Sequence, residues 1–292
     1  MKQRLITTAI LLCILAPVLF LSGTVLFPVV ATLFCAIALY EMLGCLGTRK
    51  KLAIAIPSIL MSGMPLLLLT LVEIRPDLTV GTITSHARML FLLLMAAILV
   101  LFMFYLFAAA VFSRHTFSFS EIAATYMTTF YIVLSFSAIP LIRFGVNGQY
   151  YYLLCFLGPW VTDSFAFLSG YFFGKRKLVP EISPKKTVEG SIGGTLFCML
   201  AFVGFGFVVG GMIQSTPNYL MLILLGFSVA VLAQIGDLSA SLIKREHDVK
   251  DYGHIFPGHG GVMDRFDSVI FCAPLLLIVC TLDSILSVAL LL

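Results

Sequence analysis

Hydrophobic residues fill this chain in long blocks, and polar residues are confined to the short stretches between them. Nine apolar runs recur, at about 5–21, 24–43, 52–72, 89–111, 121–142, 150–173, 191–213, 217–243 and 268–290. Each is near the ~20 residues of helix needed to cross the hydrocarbon core of a bilayer. Nothing alternates with the period of a barrel strand, and helices are the other structure that satisfies every backbone group in lipid. The pattern predicts an all-α, polytopic integral membrane protein with about nine transmembrane helices.

Composition agrees with the pattern. The 292 residues are 60% hydrophobic and 11% charged, with a mean hydropathy of +1.08. An ordinary soluble domain carries about 25% charge. Residues 1–23 resemble a signal peptide, with Lys2 and Arg4 ahead of an apolar run. No small-x-small cleavage site stands out and a second run follows at once, so a retained first helix is expected. The seven cysteines (Cys13, Cys35, Cys45, Cys155, Cys198, Cys272, Cys280) lie in or beside the runs and never reach CxxC spacing. They read as small buried hydrophobes.

Charge sets the expected orientation. With nine spans, the N-terminus and the even-numbered loops share one side. That side carries Lys2, Arg4, Arg49, Lys50, Lys51, Arg114, Lys175, Arg176, Lys177, Lys185, Lys186, Lys244, Arg245, Lys250 and Arg265, fifteen of the eighteen basic residues. Arg75, Arg88 and Arg143 remain for the other. Such a bias predicts a cytoplasmic N-terminus, with the polar loops 174–190 and 244–266 also in the cytoplasm. Spans 1–5, over 1–149, have short plain connections, whereas spans 6–9, over 150–292, carry nearly all the polar features. No internal repeat is visible.

Those polar features form a constellation. Residues 241–267 hold three of the five histidines, four basic residues and five carboxylates. Gln234, Asp237, Ser241 and Lys244 recur at steps of three and four, which stacks them on one helix face. Asp237 lies about 10 Å from the helix end near Arg245, at ~1.5 Å per residue. A carboxylate at that depth needs a salt-bridge partner, a cation or a water-filled cavity. Asp264 and Asp267 open the last span with i, i+3 spacing, in a first turn that favours negative charge. Carboxylates suit a hard divalent ion such as Mg²⁺, which takes one or two of them together with substrate phosphates and water.

His259 is flanked by Gly258, Gly260 and Gly261, where the backbone can approach a ligand closely. In the other loop, Ser183-Pro184-Lys185-Lys186-Thr187 directly precedes the seventh span, whose free N–H groups favour anions. Lys175, Arg176 and Lys177 can serve as a topology anchor alone. Asp163 is a further acid within a span, and Gly170 and Gly174 have the spacing of close helix packing. Acids for a metal and bases for phosphates are what phosphoryl or nucleotidyl transfer requires. P-loop, GxSxG and HExxH patterns are absent from the sequence. A transporter is the alternative of another class, since buried aspartates also mark ion pathways. Against it, the polar residues gather at one interface and not at the midplane.

The stretch Ser241-x-Ile243-Lys244-Arg245, then Lys250-Asp251-x-Gly253, then Phe256-Pro257-x-His259-Gly260-Gly261-Val262-x-Asp264-Arg265-Phe266-Asp267 resembles the signature of the phosphatidate cytidylyltransferase (CDP-diacylglycerol synthase) family throughout its 27 positions. Gly236-Asp237, Ser183-Pro184-Lys185-Lys186-Thr187-x-Glu189-Gly190 and Asp163-Ser164-x-Ala166 are similar to the family as well. Phe167 departs from it, standing where a tyrosine is expected. Spans 1–5 match only in hydropathy and in Glu41 at the end of the second span.

The resemblance implies nine transmembrane helices, a homodimer, and transfer of CMP from CTP to phosphatidate with release of pyrophosphate. It implies metal ligands at Asp237 and Asp264, with Mg²⁺ and K⁺ as the candidate second metal. Lys244, Arg245, Lys250, Asp251, His259, Arg265 and Asp267 join them as candidate catalytic residues. Ser183, Lys185, Lys186, Thr187, Glu189, Ser241, Gly260 and Gly261 are the candidate substrate-binding set. The expected setting is the plasma (inner) membrane, with the lipid bilayer as partner and no nucleic acid. A related CTP-dependent transferase acting on a polyprenol or another lipid phosphate stays open, because lipid choice resides in the apolar spans.

Overall fold

The computed structural model describes residues 16–113, 116–256, 258 and 260–286, with side chains to 283. The apolar blocks become helices α1 (Leu26–Cys45), α2 (Leu52–Leu60), α3 (Met64–Leu67), α4 (Ser85–Phe112), α5 (Phe119–Arg143), α6 (Gly148–Tyr151), α7 (Leu154–Phe173), α8 (Val188–Ile213), α9 (Tyr219–Glu246) and α10 (Met263–Leu286). Among the described residues, eight helical stretches are long and apolar enough to cross a membrane. They correspond to the second to ninth predicted spans. Most of the first, at about 5–21, lies outside the described residues, as do Lys2, Arg4, Cys13, Arg114, Pro257, His259 and the end of the last span.

Leu52–Thr70 is not one regular helix. α2 passes into a 3₁₀ turn at Met61–Gly63, and α3 into another at Leu68–Thr70. Pro57 sits inside α2 and Pro65 at the start of α3. Each removes a backbone donor and crowds the preceding turn. The starts of α4 and α5, by contrast, are capped: Thr84 Oγ1 accepts from the Ala87 N–H at 3.2 Å, and Ser118 and Glu121 form a reciprocal capping box on α5. Such side chains supply acceptors to the first-turn N–H groups, which have none inside the helix.

Two compact units divide the chain. The first comprises the described part of 1–149 together with His247–Phe266. Its core is the face of α1 bearing Cys35, Ala38, Leu39 and Met42, packed with α5 residues Ile132, Val133, Phe136 and Ile139. Ile54, Phe102, Leu106 and Ile122 form a second cluster where α2, α4 and α5 meet. Its loops sort to two ends. At one end Lys51 Nζ reaches Glu121 Oε1 at 2.6 Å and the Thr116 carbonyl at 3.1 Å. At the other, Val80 N donates to the Gly23 carbonyl at 2.8 Å, Ile83 N to Phe144 at 2.6 Å, and Arg143 Nε to Ser22 Oγ at 2.9 Å. Alternate loops thus share an end, as successive crossings require.

The second unit comprises Tyr150–Glu246 and the described residues from Asp267 onward. α8 packs against both α7 and α9, and small residues let the backbones close up. A Cβ on Gly158 would stand 2.4 Å from Val229 Cγ1, and one on Gly226 would stand 3.0 Å from the Met199 Cα. Gly158→Ala is therefore expected to force α7 and α9 apart, at a cost of about 1–3 kcal/mol. Thermal unfolding of the purified protein in detergent reads this as a lowered midpoint. The described cysteines are all buried free thiols.

The segment between α7 and α8 is more ordered than its loop-like sequence suggests. It forms an antiparallel pair, β1 (Lys177–Val179) and β2 (Ser183–Thr187), with Lys177 opposite Thr187 and Val179 opposite Ser183.

Candidate active site

In the second unit, helices α7 and α9 and the β hairpin enclose a cavity of about 550 Å³. Asp163 enters from α7, Gln234 and Asp237 from α9, and Lys185, Lys186 and Thr187 from β2. Lys186 Nζ is ion-paired with Asp237 Oδ2. Asp237 also feels the negative charges of Asp163 and Asp267, and Lys244 lies near enough to Asp267 to offset part of that field. Ser268 joins the group, its N–H donating to Asp267 Oδ1 at 2.8 Å and its hydroxyl to Asp163 Oδ2 at 3.4 Å. Three carboxylates and a lysine therefore share one polar region of a largely apolar bundle.

The cavity's walls follow from local sequence. Glycines admit the hairpin against α7: a Cβ on Gly170 would stand 2.7 Å from Thr187 Oγ1, and one on Gly190 2.6 Å from the Ala166 carbonyl. Thr187 Oγ1 caps α8 by accepting from Gly190 N at 3.1 Å. Below the acids, Gln234 Oε1 accepts from the Ser191 hydroxyl, and Gln234 Nε2 donates to Thr195 Oγ1 at 3.1 Å and the Ala230 carbonyl at 3.2 Å. That ladder satisfies a polar group which would otherwise be costly in the bundle. On the outer rim, Phe167 and Tyr171 line the cavity while remaining 71% and 75% exposed.

Other predicted residues take different places. Glu189 Oε2 accepts from the N–H groups of Lys175 at 3.0 Å and Arg176 at 3.2 Å, which fastens the base of the hairpin. Ser183 is in the strand ladder, and Lys185 lines the cavity while remaining exposed. Ser241, Lys244 and Arg245 continue along α9 beyond Asp237.

His247–Phe266 belongs to the first unit, where the Asp264 carboxylate gathers two of its N–H groups. Asp264, 8% exposed in the first turn of α10, accepts through Oδ2 from the N–H groups of Tyr252 at 2.8 Å and Gly261 at 2.9 Å. Gly260 has φ +80°, and a Cβ there would stand 2.7 Å from the same Oδ2. Both facts require glycine. Lys250 and Arg265 are exposed, and Asp251 is half-buried. Asp251 and His254 line a second cavity of about 330 Å³ with Tyr40, Glu41 and Arg49.

Asp237 and Asp264 thus fall in different units, each with its own partners. Among the described residues no group of three His, Cys, Asp or Glu side chains is disposed to hold a metal ion. Mg²⁺ does not need one, since it keeps several waters and shares its shell with substrate phosphates. Hard carboxylate oxygens beside lysines fit an ion of that kind bound jointly with a polyphosphate.

The description "Cytidylyltransferase family" belongs to the sequence family whose pattern matches residues 2–283. The chain is a member of that family. It is 36% identical over 276 residues to a protein named phosphatidate cytidylyltransferase from Staphylococcus haemolyticus strain JCSC1435, covering 94% of this chain and 97% of the relative. Proteins of the same name from Staphylococcus aureus strain COL and Bacillus subtilis strain 168 are 36% and 34% identical, again over 94% of this chain and over 97% and 96% of their own lengths. The chain is accordingly a nucleotidyltransferase enzyme.

In this cytidylyltransferase, sequence reasoning gave no role to Glu41 or to the polar ladder of Ser191, Thr195 and Gln234. A signal existed for the first, because Glu41 is the one charged residue in α1. None existed for the ladder's hydroxyls, which are common in apolar helices and become meaningful only when Gln234 faces them.

Proposed function

We propose that this enzyme transfers CMP from CTP to phosphatidate, forming CDP-diacylglycerol and pyrophosphate at the cytoplasmic face of the plasma membrane. The observation that carries the reading is the cavity of the second unit. It joins Asp163 and Asp237 to Lys185 and Lys186, and opens past the exposed rings of Phe167 and Tyr171, on a helical stretch long and apolar enough to cross a membrane. An anionic nucleotide and a lipid phosphate both need such an arrangement, one reaching it from water and the other from the bilayer.

A phosphate oxygen of phosphatidate bonds to the α-phosphorus of CTP, the bond from that phosphorus to its bridging oxygen breaks, and pyrophosphate leaves. The nucleophile is already an anion, so no strong protein base is required, and His259 acts as a hydrogen-bond donor to phosphate. Lys185, Lys186, Lys244, Arg245 and Arg265 offset the charge gathered at the site. Asp237 and Asp264 would each offer a carboxylate to Mg²⁺, with K⁺ the candidate second ion. Held there, Mg²⁺ would supply positive charge to the phosphates without any proton transfer. As phosphates approach, Lys186 exchanges its pairing with Asp237 for one with substrate.

Purified protein in lipid nanodiscs, given labelled CTP, Mg²⁺ and a panel of lipid phosphates, tests the reading. Equal amounts of CDP-diacylglycerol and pyrophosphate are expected with phosphatidate. Product from a polyprenol alone, or solute flux with no CDP-lipid, would overturn it.

A further inference from the structure

Glu41 is the one charged residue of α1 and is 3% exposed. An ionisable group buried in an apolar helix requires specific partners. They come from far along the chain: Oε1 accepts from Val262 N at 3.2 Å and Oε2 from Met263 N at 2.9 Å. These amides lie at the start of α10, where a helix leaves N–H groups without internal acceptors and favours negative charge. The contact is tight on the loop side as well. A Cβ on Gly253 would stand 2.1 Å from Glu41 Oε1, and one on Gly261 2.2 Å from it. Both glycines belong to the polar signature, and neither has a positive φ that would explain it. Proximity to this carboxylate does explain them.

The same backbone carries Asp264, whose Oδ2 takes the Tyr252 and Gly261 N–H groups. The N–H groups of Tyr252, Gly261, Val262 and Met263 are thus held by two carboxylates, Asp264 and, from α1, Glu41. We infer that Glu41 is a positioning residue for cytidylyl transfer. It fixes the backbone at Gly253, Gly261, Val262 and Met263, and with it the placement of Asp264, without touching substrate. Its hydrogen bonds make an apolar N-terminal helix part of the reactive machinery, and the signature glycines are the seats cut for it. The activity arm of the test rests on the proposed function, while the exchange arm does not.

The test uses the full chain in nanodiscs as Glu41→Gln, Glu41→Asp, Glu41→Ala, Gly261→Ala and the Glu41→Ala/Gly261→Ala double variant. Hydrogen exchange followed by mass spectrometry is expected to speed up about tenfold or more in peptides covering 253–263 of Glu41→Gln, with α4 and α5 unchanged. Turnover should fall about tenfold or more through kcat, because small misplacements of reacting groups are costly. Glu41→Asp keeps the charge and should recover part of both. Gly261→Ala should cost less activity on the Glu41→Ala background than alone, since the clash has gone. Unchanged local exchange in Glu41→Gln, or faster exchange there with full turnover, would overturn the inference. Exchange raised throughout α4 and α5 in both Glu41→Gln and Glu41→Asp would make Glu41 a general stability residue and overturn it too. Wild-type protein lacking cytidylyl transfer would instead sink the proposed function and leave the exchange result standing.

Discussion

Asp264→Asn should lower turnover by about 100-fold or more, the scale on which removal of a transition-state charge partner acts, while the protein inserts and purifies as before. Asp264 is buried, and one of its oxygens accepts both the Tyr252 and Gly261 N–H groups. An asparagine carbonyl oxygen can accept the same two bonds, so the loop keeps its shape. Exchanging a charged for a neutral acceptor costs about 1 kcal/mol. What disappears is the negative charge proposed to hold Mg²⁺. A Mg²⁺ titration of activity, beside thermal unfolding, separates the roles. Near-normal activity in a well-folded Asp264→Asn protein would remove Asp264 from the metal assignment.

Asp237→Asn is expected to lose activity on a similar scale, about 100-fold or more, for a different local reason. Asp237 is the ion-pair partner of Lys186 and shares its surroundings with Asp163 and Asp267. Neutralising it relieves repulsion among the carboxylates. Lys186 keeps Asp163 as an electrostatic partner, so the lysine is not left isolated. Stability should therefore be unchanged or slightly raised even as turnover collapses. A purely structural salt bridge predicts the opposite, with a lowered unfolding midpoint and normal specific activity in the folded fraction. Measuring both quantities on one preparation decides between them.

The transmembrane pattern was legible because lipid imposes one demand on every span, namely backbone satisfaction over a fixed thickness. Even the start of α5 matched to within two residues, at about 121 from sequence and Phe119 in the structure. The interruption in Leu52–Thr70 was not seen, since hydropathy weighs Pro57 and Pro65 by polarity and ignores their missing N–H groups. The spacing of Gln234 and Asp237 placed both on one face of α9, and both line the same cavity. Partners from distant segments were invisible. Nothing in Ser183-Pro184-Lys185-Lys186-Thr187 announces a strand, because its ladder depends on Lys177–Val179 and on the hold of Glu189 at the base. Nor could spacing pair Glu41 with Met263, which are 222 positions apart.

Phe167 and Tyr171, at the outer edge of the larger cavity, bear on how the enzyme experiences its substrates. On the proposed function, one wall of the reaction chamber is bilayer, and the two substrates obey different measures of abundance. CTP is counted per litre of cytosol. The lipid is counted as a mole fraction of its leaflet, and adding inert phospholipid or detergent dilutes it although the test-tube concentration stays the same. Product is released into that same two-dimensional pool, where it competes for the rim with every unreacted neighbour. Flux through such an enzyme is governed as much by how quickly the surrounding membrane is cleared and replenished as by the chemistry between the carboxylates.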